Sequence, residues 1–157
     1  ISKQCRRYGQ IKNILRLMVK KELKIVDLSH WSIFLDENQH YLGSCIVMLN
    51  RLEEVLYNLS KEERSELLDI SSRLEFTIVR DFGARKVDFD SSGGFTDRLR
   101  FLVKPRYHNE PEFDGMRFTA DGYGTHYNTN VRSRSLTKNQ YSKLIKHIRS
   151  SLERELE

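Results

Sequence analysis

The chain has 157 residues, of which 38% are hydrophobic and 10% aromatic, enough for one domain with a sizeable core and too apolar for a disordered chain. No apolar run approaches membrane-spanning length, so no membrane partner is expected. The 27 Lys and Arg against 22 Asp and Glu leave a formal net charge of +5, a mild excess compatible with an anionic ligand, a nucleic acid, or neither.

In chain order, residues from about Lys3 to Leu23 carry Ile11, Ile14, Leu15, Met18 and Val19 at three- and four-residue spacing. Arg6, Arg7, Lys12, Arg16, Lys20 and Lys21 fill the intervals. This spacing predicts a basic amphipathic helix, with a boundary at about residue 26 between it and a main domain over 27–157. One apolar stripe needs one surface to cover it, so packing on the domain or on a second copy competes with a role on RNA or a membrane.

Trp31–Leu35 reads as a strand, 36–43 as a polar turn, and the apolar Cys45–Leu49 as a second strand antiparallel to the first. Cys5 and Cys45 have no CxxC or metal-ligand spacing, and no signal-peptide pattern opens the sequence. A reduced, cytoplasmic setting is therefore the default expectation, and a segment preceding Ile1 is left open by the absent initiator Met. Ser60 with Glu63 forms a capping box that opens a long helix. Leu67, Leu68, Ile70, Leu74, Ile78 and Val79 are its expected buried stripe, and Gly83 its stop.

Arg85 to Asp90 is a further strand, and Ser91-Ser92-Gly93-Gly94 the turn after it. From Asp97 the pattern alternates: Leu99, Phe101 and Val103 face inward, while Arg98, Arg100, Leu102 and Lys104 face the other way. After Pro105 the chain reads as irregular and aromatic, with Phe113, Phe118, Tyr123 and Tyr127. Thr137 with Gln140 then caps a last helix whose Leu144, Ile145, Ile148 and Leu152 make its apolar face. Strands grouped around one central helix predict an α+β fold with an antiparallel sheet and helices on one face.

Several ordered pieces resemble the histidine-triad (HIT) superfamily of nucleotide hydrolases and transferases. They are Phe34-Leu35-Asp36-Glu37-Asn38-Gln39, Leu42-Gly43-Ser44-Cys45-Ile46-Val47 and Asn50-Arg51-Leu52-Glu53-Glu54. Leu59-Ser60-Lys61-Glu62-Glu63, Phe82-Gly83-Ala84 and Pro105-Arg106-Tyr107 follow in order. Glu112-Phe113-Asp114-Gly115 and Tyr123-Gly124-Thr125-His126-Tyr127 are similar to the tail of one bacterial and archaeal branch. The resemblance implies a HIT-like fold, with the N-terminal and C-terminal helices as additions, and a homodimer formed through a helix and a sheet edge.

The same resemblance places Arg98, Arg100 and Leu102 where the family carries its three histidines, Leu52 where it carries a fourth, and Gly94-Phe95 where a phosphate-contacting pair usually stands. In the family the middle histidine attacks the α-phosphate. Arg100 has no lone pair for attack, and Leu102 has no polar atom. His108 and His126 are the histidines best placed to substitute from a loop, but rebuilding an in-line nucleophile on another backbone segment demands positioning to about an ångström. The implied function is thus a HIT-like protein with no catalytic residues and no cofactor. It would act as a nucleotide- or phosphate-binding module or as a protein-interaction module.

The candidate ligand residues are Asp36, Arg98, Arg100 and Lys104. Asp36 matches the family position that receives the ribose hydroxyls, and it equally suits a turn aspartate that bonds its own backbone. The arginines offer forked donors that fit phosphate, or else they form a solvated strand face or pair with Asp88 and Asp90. Asp36, Asp88 and Asp90 are read as no metal site, because the neighbouring arginines repel a cation. Two alternatives stay open: a dinucleoside polyphosphate hydrolase of altered mechanism, and a nucleic-acid-binding module using the first helix and the stretch from Arg132 to Arg134.

Overall fold

A computed structural model describes residues 19–91, 97–120 and 133–154. Their framework is one antiparallel sheet of five strands: β1 (Lys24–Asp27), β2 (Trp31–Leu35), β3 (Cys45–Leu49), β4 (Lys86–Asp90) and β5 (Arg100–Arg106), in the order β1-β2-β3-β5-β4. Helix α1 (Lys61–Phe82) connects β3 to β4, and α2 (Lys138–Arg154) packs beside α1 and over β1. No helix among the described residues is long and apolar enough to cross a membrane.

The expected hairpin is present, with Trp31 opposite Leu49 and Leu35 opposite Cys45. Strand alternation turns Trp31, Ile33, Leu35, Cys45, Val47, Leu49 and Val103 toward the helices, where each is fully buried. The capping box of α1 is formed: the Glu63 backbone N–H donates to Ser60 Oγ at 3.1 Å, and the Ser60 N–H to Glu63 Oε2 at 2.8 Å. Gly83 ends the helix in the left-handed region, φ 74°, a conformation open to glycine at no steric cost. Thr137 and Gln140 make the same reciprocal pair at the start of α2, and Leu144, Ile145, Ile148 and Leu152 are buried as the spacing predicts.

Four expectations are corrected. The helix expected over 3–23 does not run through its last residues, because Lys21–Leu23 is a single 3-10 turn and Lys24 opens β1. Residues 1–18 lie outside the described residues. The expected boundary at 26 falls within β1, whose Lys24 and Val26 pair with Phe34 and Ile33 and whose Ile25 belongs to the core. On α1 the buried residues are Glu63, Ile70, Leu74, Thr77, Ile78 and Phe82, whereas Leu68 is 75% exposed and Val79 is also exposed. Last, the segment after Pro105 holds a small hairpin, β6 (Glu112–Phe113) and β7 (Met116–Arg117), turning on Asp114 and Gly115 with φ 51° and 74°. Two consecutive positive φ values are the requirement of a tight hairpin turn, which Asp-Gly meets. The turn expected at 91–94 and the tail residues Tyr123, His126 and Tyr127 fall mainly outside the described residues.

Candidate functional site

The site is built on the sheet face turned away from α1. Alternation puts Ser32, Phe34 and Asp36 of the β2 line on that face, with Ile46 and Met48 of β3 and Arg100, Leu102 and Lys104 of β5. Register then fixes the neighbours. Ser32, Met48 and Arg100 form one cross-strand row; Phe34, Ile46, Leu102 and Asp90 form the next. Ser44 follows Leu42-Gly43 and accepts the Asp36 backbone N–H at 2.9 Å, extending a third row toward Lys104 and Asp88. Arg100 and Lys104 thus flank Leu102 along β5, and Asp36 lies on the same face, two strands away near the Lys104 row.

Arg100 is no solvated surface arginine: it is only 8% exposed. Burial lowers the pKa of its guanidinium and Asp36 opposes that shift, but a guanidinium stays charged across the physiological range. Burial pushes the Asp36 carboxyl above its ordinary value, against the Asn38 N–H and the charges of Lys104 and Arg100. Asp36 and Arg100 thus each feel the other's charge across the sheet face.

The loop carrying Asp36 is held from several sides. Its Oδ1 accepts the Asn38 N–H at 2.9 Å, so the turn-aspartate role is real and occupies one oxygen. The buried Gln39 amide donates to the carbonyls of Asp36 and Ser44 at 2.7 and 2.8 Å and accepts from Gly43 N–H at 2.9 Å. Asn38 Oδ1 accepts the Arg134 N–H, and the Gln39 N–H donates to the Arg134 carbonyl, both at 2.9 Å. The buried Tyr107 hydroxyl donates to the Leu42 carbonyl at 2.7 Å. Sequence reasoning missed these positioning residues. The signal available for two of them was the Asn-Gln pair directly after a strand-ending Asp, a composition that bonds backbone.

The expected quartet is not gathered whole. Arg98 precedes β5 at a bridge to Glu53 and donates to the Asn50 carbonyl at 2.7 Å, which places it at the end of β3 and not beside Asp36. The acids of β4 engage other cations than the two arginines weighed from sequence: Asp88 meets Arg106 at 2.8 Å and Lys86 at 3.2 Å, and Asp90 meets Lys104 at 3.4 Å. Hydrogen bonds and charge from Arg106 and Lys86 hold the Asp88 carboxyl below its ordinary value, overcoming a burial effect of opposite sign. Leu52 is 64% exposed in the loop between β3 and α1. Gly94, Phe95 and His126 lie outside the described residues.

No family model matches the sequence, and no curated protein sequence matches it. Solved structures do match. A histidine triad protein from Marinobacter aquaeolei VT8 shares 16% identity, covering 87% of this chain and 96% of that one, with a TM-score of 0.69. A hypothetical histidine triad nucleotide-binding protein from Sulfolobus tokodaii strain 7 shares 17% over 84% of both chains, TM-score 0.62. The diadenosine triphosphate hydrolase of Plasmodium falciparum shares 11%, covering 88% of this chain and 82% of that one, TM-score 0.61. The class defined by sheet order and helix placement is therefore the HIT fold, and at these identities the fold is the shared property.

Proposed function

We propose that this chain is a HIT-fold protein that binds a nucleotide or other phosphate ligand without turning it over by nucleophilic catalysis. The observation that supports this best is the placement of Asp36, Arg100 and Lys104 on one sheet face, with Arg100 nearly buried there. The fixed fork of Arg100 suits a phosphate, Lys104 adds a second charge tempered by Asp90, and Asp36 supplies an acceptor for a ribose hydroxyl. Arg98 lies at the margin. The resemblance puts Arg100 and Leu102 at triad positions, and neither side chain attacks phosphorus. A homodimer and a cytoplasmic setting belong to the same reading.

Calorimetric titration with AMP and then diadenosine tetraphosphate tests it. Binding that Arg100→Ala weakens more than tenfold, with the fold retained, is the expected result. Affinity unchanged in that variant removes Arg100 from the site. Release of product from the dinucleotide above the protein-free rate, lost in Asp36→Asn or Arg100→Ala, would replace the non-catalytic reading with a hydrolase of altered mechanism.

A further inference from the structure

Away from the sheet face that carries Asp36 and Arg100, the start of β1 meets α2, the helix that packs beside α1. A groove of about 740 Å³ runs between them. Five cationic side chains, Lys20, Lys24, Lys138, Lys146 and Arg149, line it against two carboxylates, Glu22 and Glu37. We propose that this groove binds an extended phosphodiester chain, a single strand of nucleic acid, independently of the site on the sheet face.

Placement of the charges favours a chain over a compact anion. On α2, Lys138, Ser142, Lys146 and Arg149 recur at four, four and three residues and form one stripe along the groove. At 1.5 Å per residue, Lys138 and Lys146 stand about 12 Å apart along the axis, too far for one phosphate to bridge. Arg149 is held in place by donating to the Ile25 carbonyl at 2.6 Å and the Lys24 carbonyl at 3.1 Å, contacts that leave its charge unneutralised. On the facing wall Lys20 pairs with Glu37 and Lys24 with Asp27 at 2.9 Å, so the net positive charge is concentrated on α2. Lys138 also occupies the first turn of its helix, where the macrodipole disfavours a cation and no acidic residue offsets it. Local helix stability gives no reason for a lysine there, whereas a polyanion running past the helix end does.

Beneath the charged walls Leu23 and Ile145 belong to the core, and the half-buried Tyr141, its hydroxyl donating to the Glu37 carbonyl, is the one ring that a base could meet, so the groove would hold the backbone by charge more than the bases by stacking. A lipid surface fits less well. The groove is concave, and among the described residues the exposed large apolar side chains lie in the 52–57 loop, on α1 and on β4, none of them lining it.

Fluorescence anisotropy of labelled twelve-nucleotide oligouridylate and oligothymidylate with the whole chain tests this. Binding that falls steeply with salt is expected, and Lys138→Gln with Lys146→Gln should weaken it about tenfold and reduce the log–log salt slope by roughly 1.4, two single-strand phosphate contacts. Both lysines are exposed, and an unchanged circular dichroism spectrum and AMP titration would show that the variant is folded. Conversely, Arg100→Ala should lose AMP and keep the oligonucleotide. Preference between the two oligomers separates RNA from DNA within the proposal. No binding, binding unaffected by the double variant, or equal binding to an oligoglutamate of the same charge or to phosphatidylserine vesicles overturns it.

Discussion

Asp36 sits where opposed forces meet. Burial favours its neutral form, while the Asn38 N–H, Lys104 and Arg100 favour the carboxylate, and burial prevails, so the folded pKa lies above the ordinary 3.8. Over the window between those values the folded state keeps a proton that the unfolded chain has released. Stability therefore declines as pH rises through that window, and the penalty persists at neutral pH. Asp36→Asn removes the charge yet keeps an oxygen for the Asn38 N–H. Its urea midpoint at pH 7 should exceed that of the parent, with the gap closing as pH falls below 3.8. AMP affinity should fall in the same variant, since a stabilising change that costs function is what a strained binding group produces. Equal midpoints at pH 7 would show that the carboxylate is not held against its preference.

At the scale of elements, α1 is secured at its start by a network that extends the capping box. Arg51 donates to Glu63 at 2.6 and 3.0 Å, and the Trp31 indole donates to the Glu63 carbonyl at 2.9 Å. The Arg51 hydrogen bond, opposed by burial and reinforced by the Ser60 N–H, holds the Glu63 carboxyl down at about 2. A depressed carboxylate contributes stability that is complete above the ordinary 4.5 and is lost as pH falls toward about 2. Chemical denaturation of Glu63→Gln across that range should give a flatter acid limb than the parent, and Ser60→Ala should cost about 1 kcal/mol at pH 7. An acid limb unchanged in Glu63→Gln would assign the acid sensitivity elsewhere. These caps were legible in the sequence because their signal is local and spans four residues. β1 was not: it has four residues with an irregular register at Lys24/Val26, and Leu23 and Val26 continue the spacing of the apolar stripe before them. The β6–β7 hairpin was missed for a related reason, since two-residue strands show no alternation and only Asp114-Gly115 marks them. At the site, the side-chain alternation of β5 was readable, but Arg98 was grouped with Arg100 because periodicity does not say where a strand begins; β5 begins at Arg100. Which carboxylate meets which cation depends on cross-strand register, so Asp88 and Arg106 could not be paired from sequence.

The whole molecule has an asymmetry that bears on its assembly. α1 carries two apolar stripes: one, through Ile70, Leu74, Ile78 and Phe82, fills the core, and a second, through Leu68, Phe76 and Val79, is exposed. The misread burial of Leu68 and Val79 in the sequence arose from this second stripe. Beside it Phe89 is exposed on β4, which among the described residues is an edge strand with no neighbour on its outer side, and a groove of about 560 Å³ with Leu67, Leu68, Phe89 and Phe101 among its lining joins the two. Isolated apolar side chains on a surface are ordinary, but a helix stripe contiguous with an apolar groove and an open sheet edge is an aggregation hazard unless it is covered. In the proposed homodimer a second copy of the chain would cover it with matching surface under a twofold axis, and pairing β4 with its equivalent would continue the sheet across the interface. Light scattering at micromolar concentration should therefore give twice the 18.6 kDa chain mass. Leu68→Glu with Phe89→Glu should return the chain to a monomer, because the two carboxylates line one groove, repel each other and lose water on association. Neither side chain belongs to the core, so the variant should keep its thermal transition apart from whatever concentration dependence the dimer imposes. A monomeric parent across that concentration range would mean that the α1–β4 face is covered by something other than this chain.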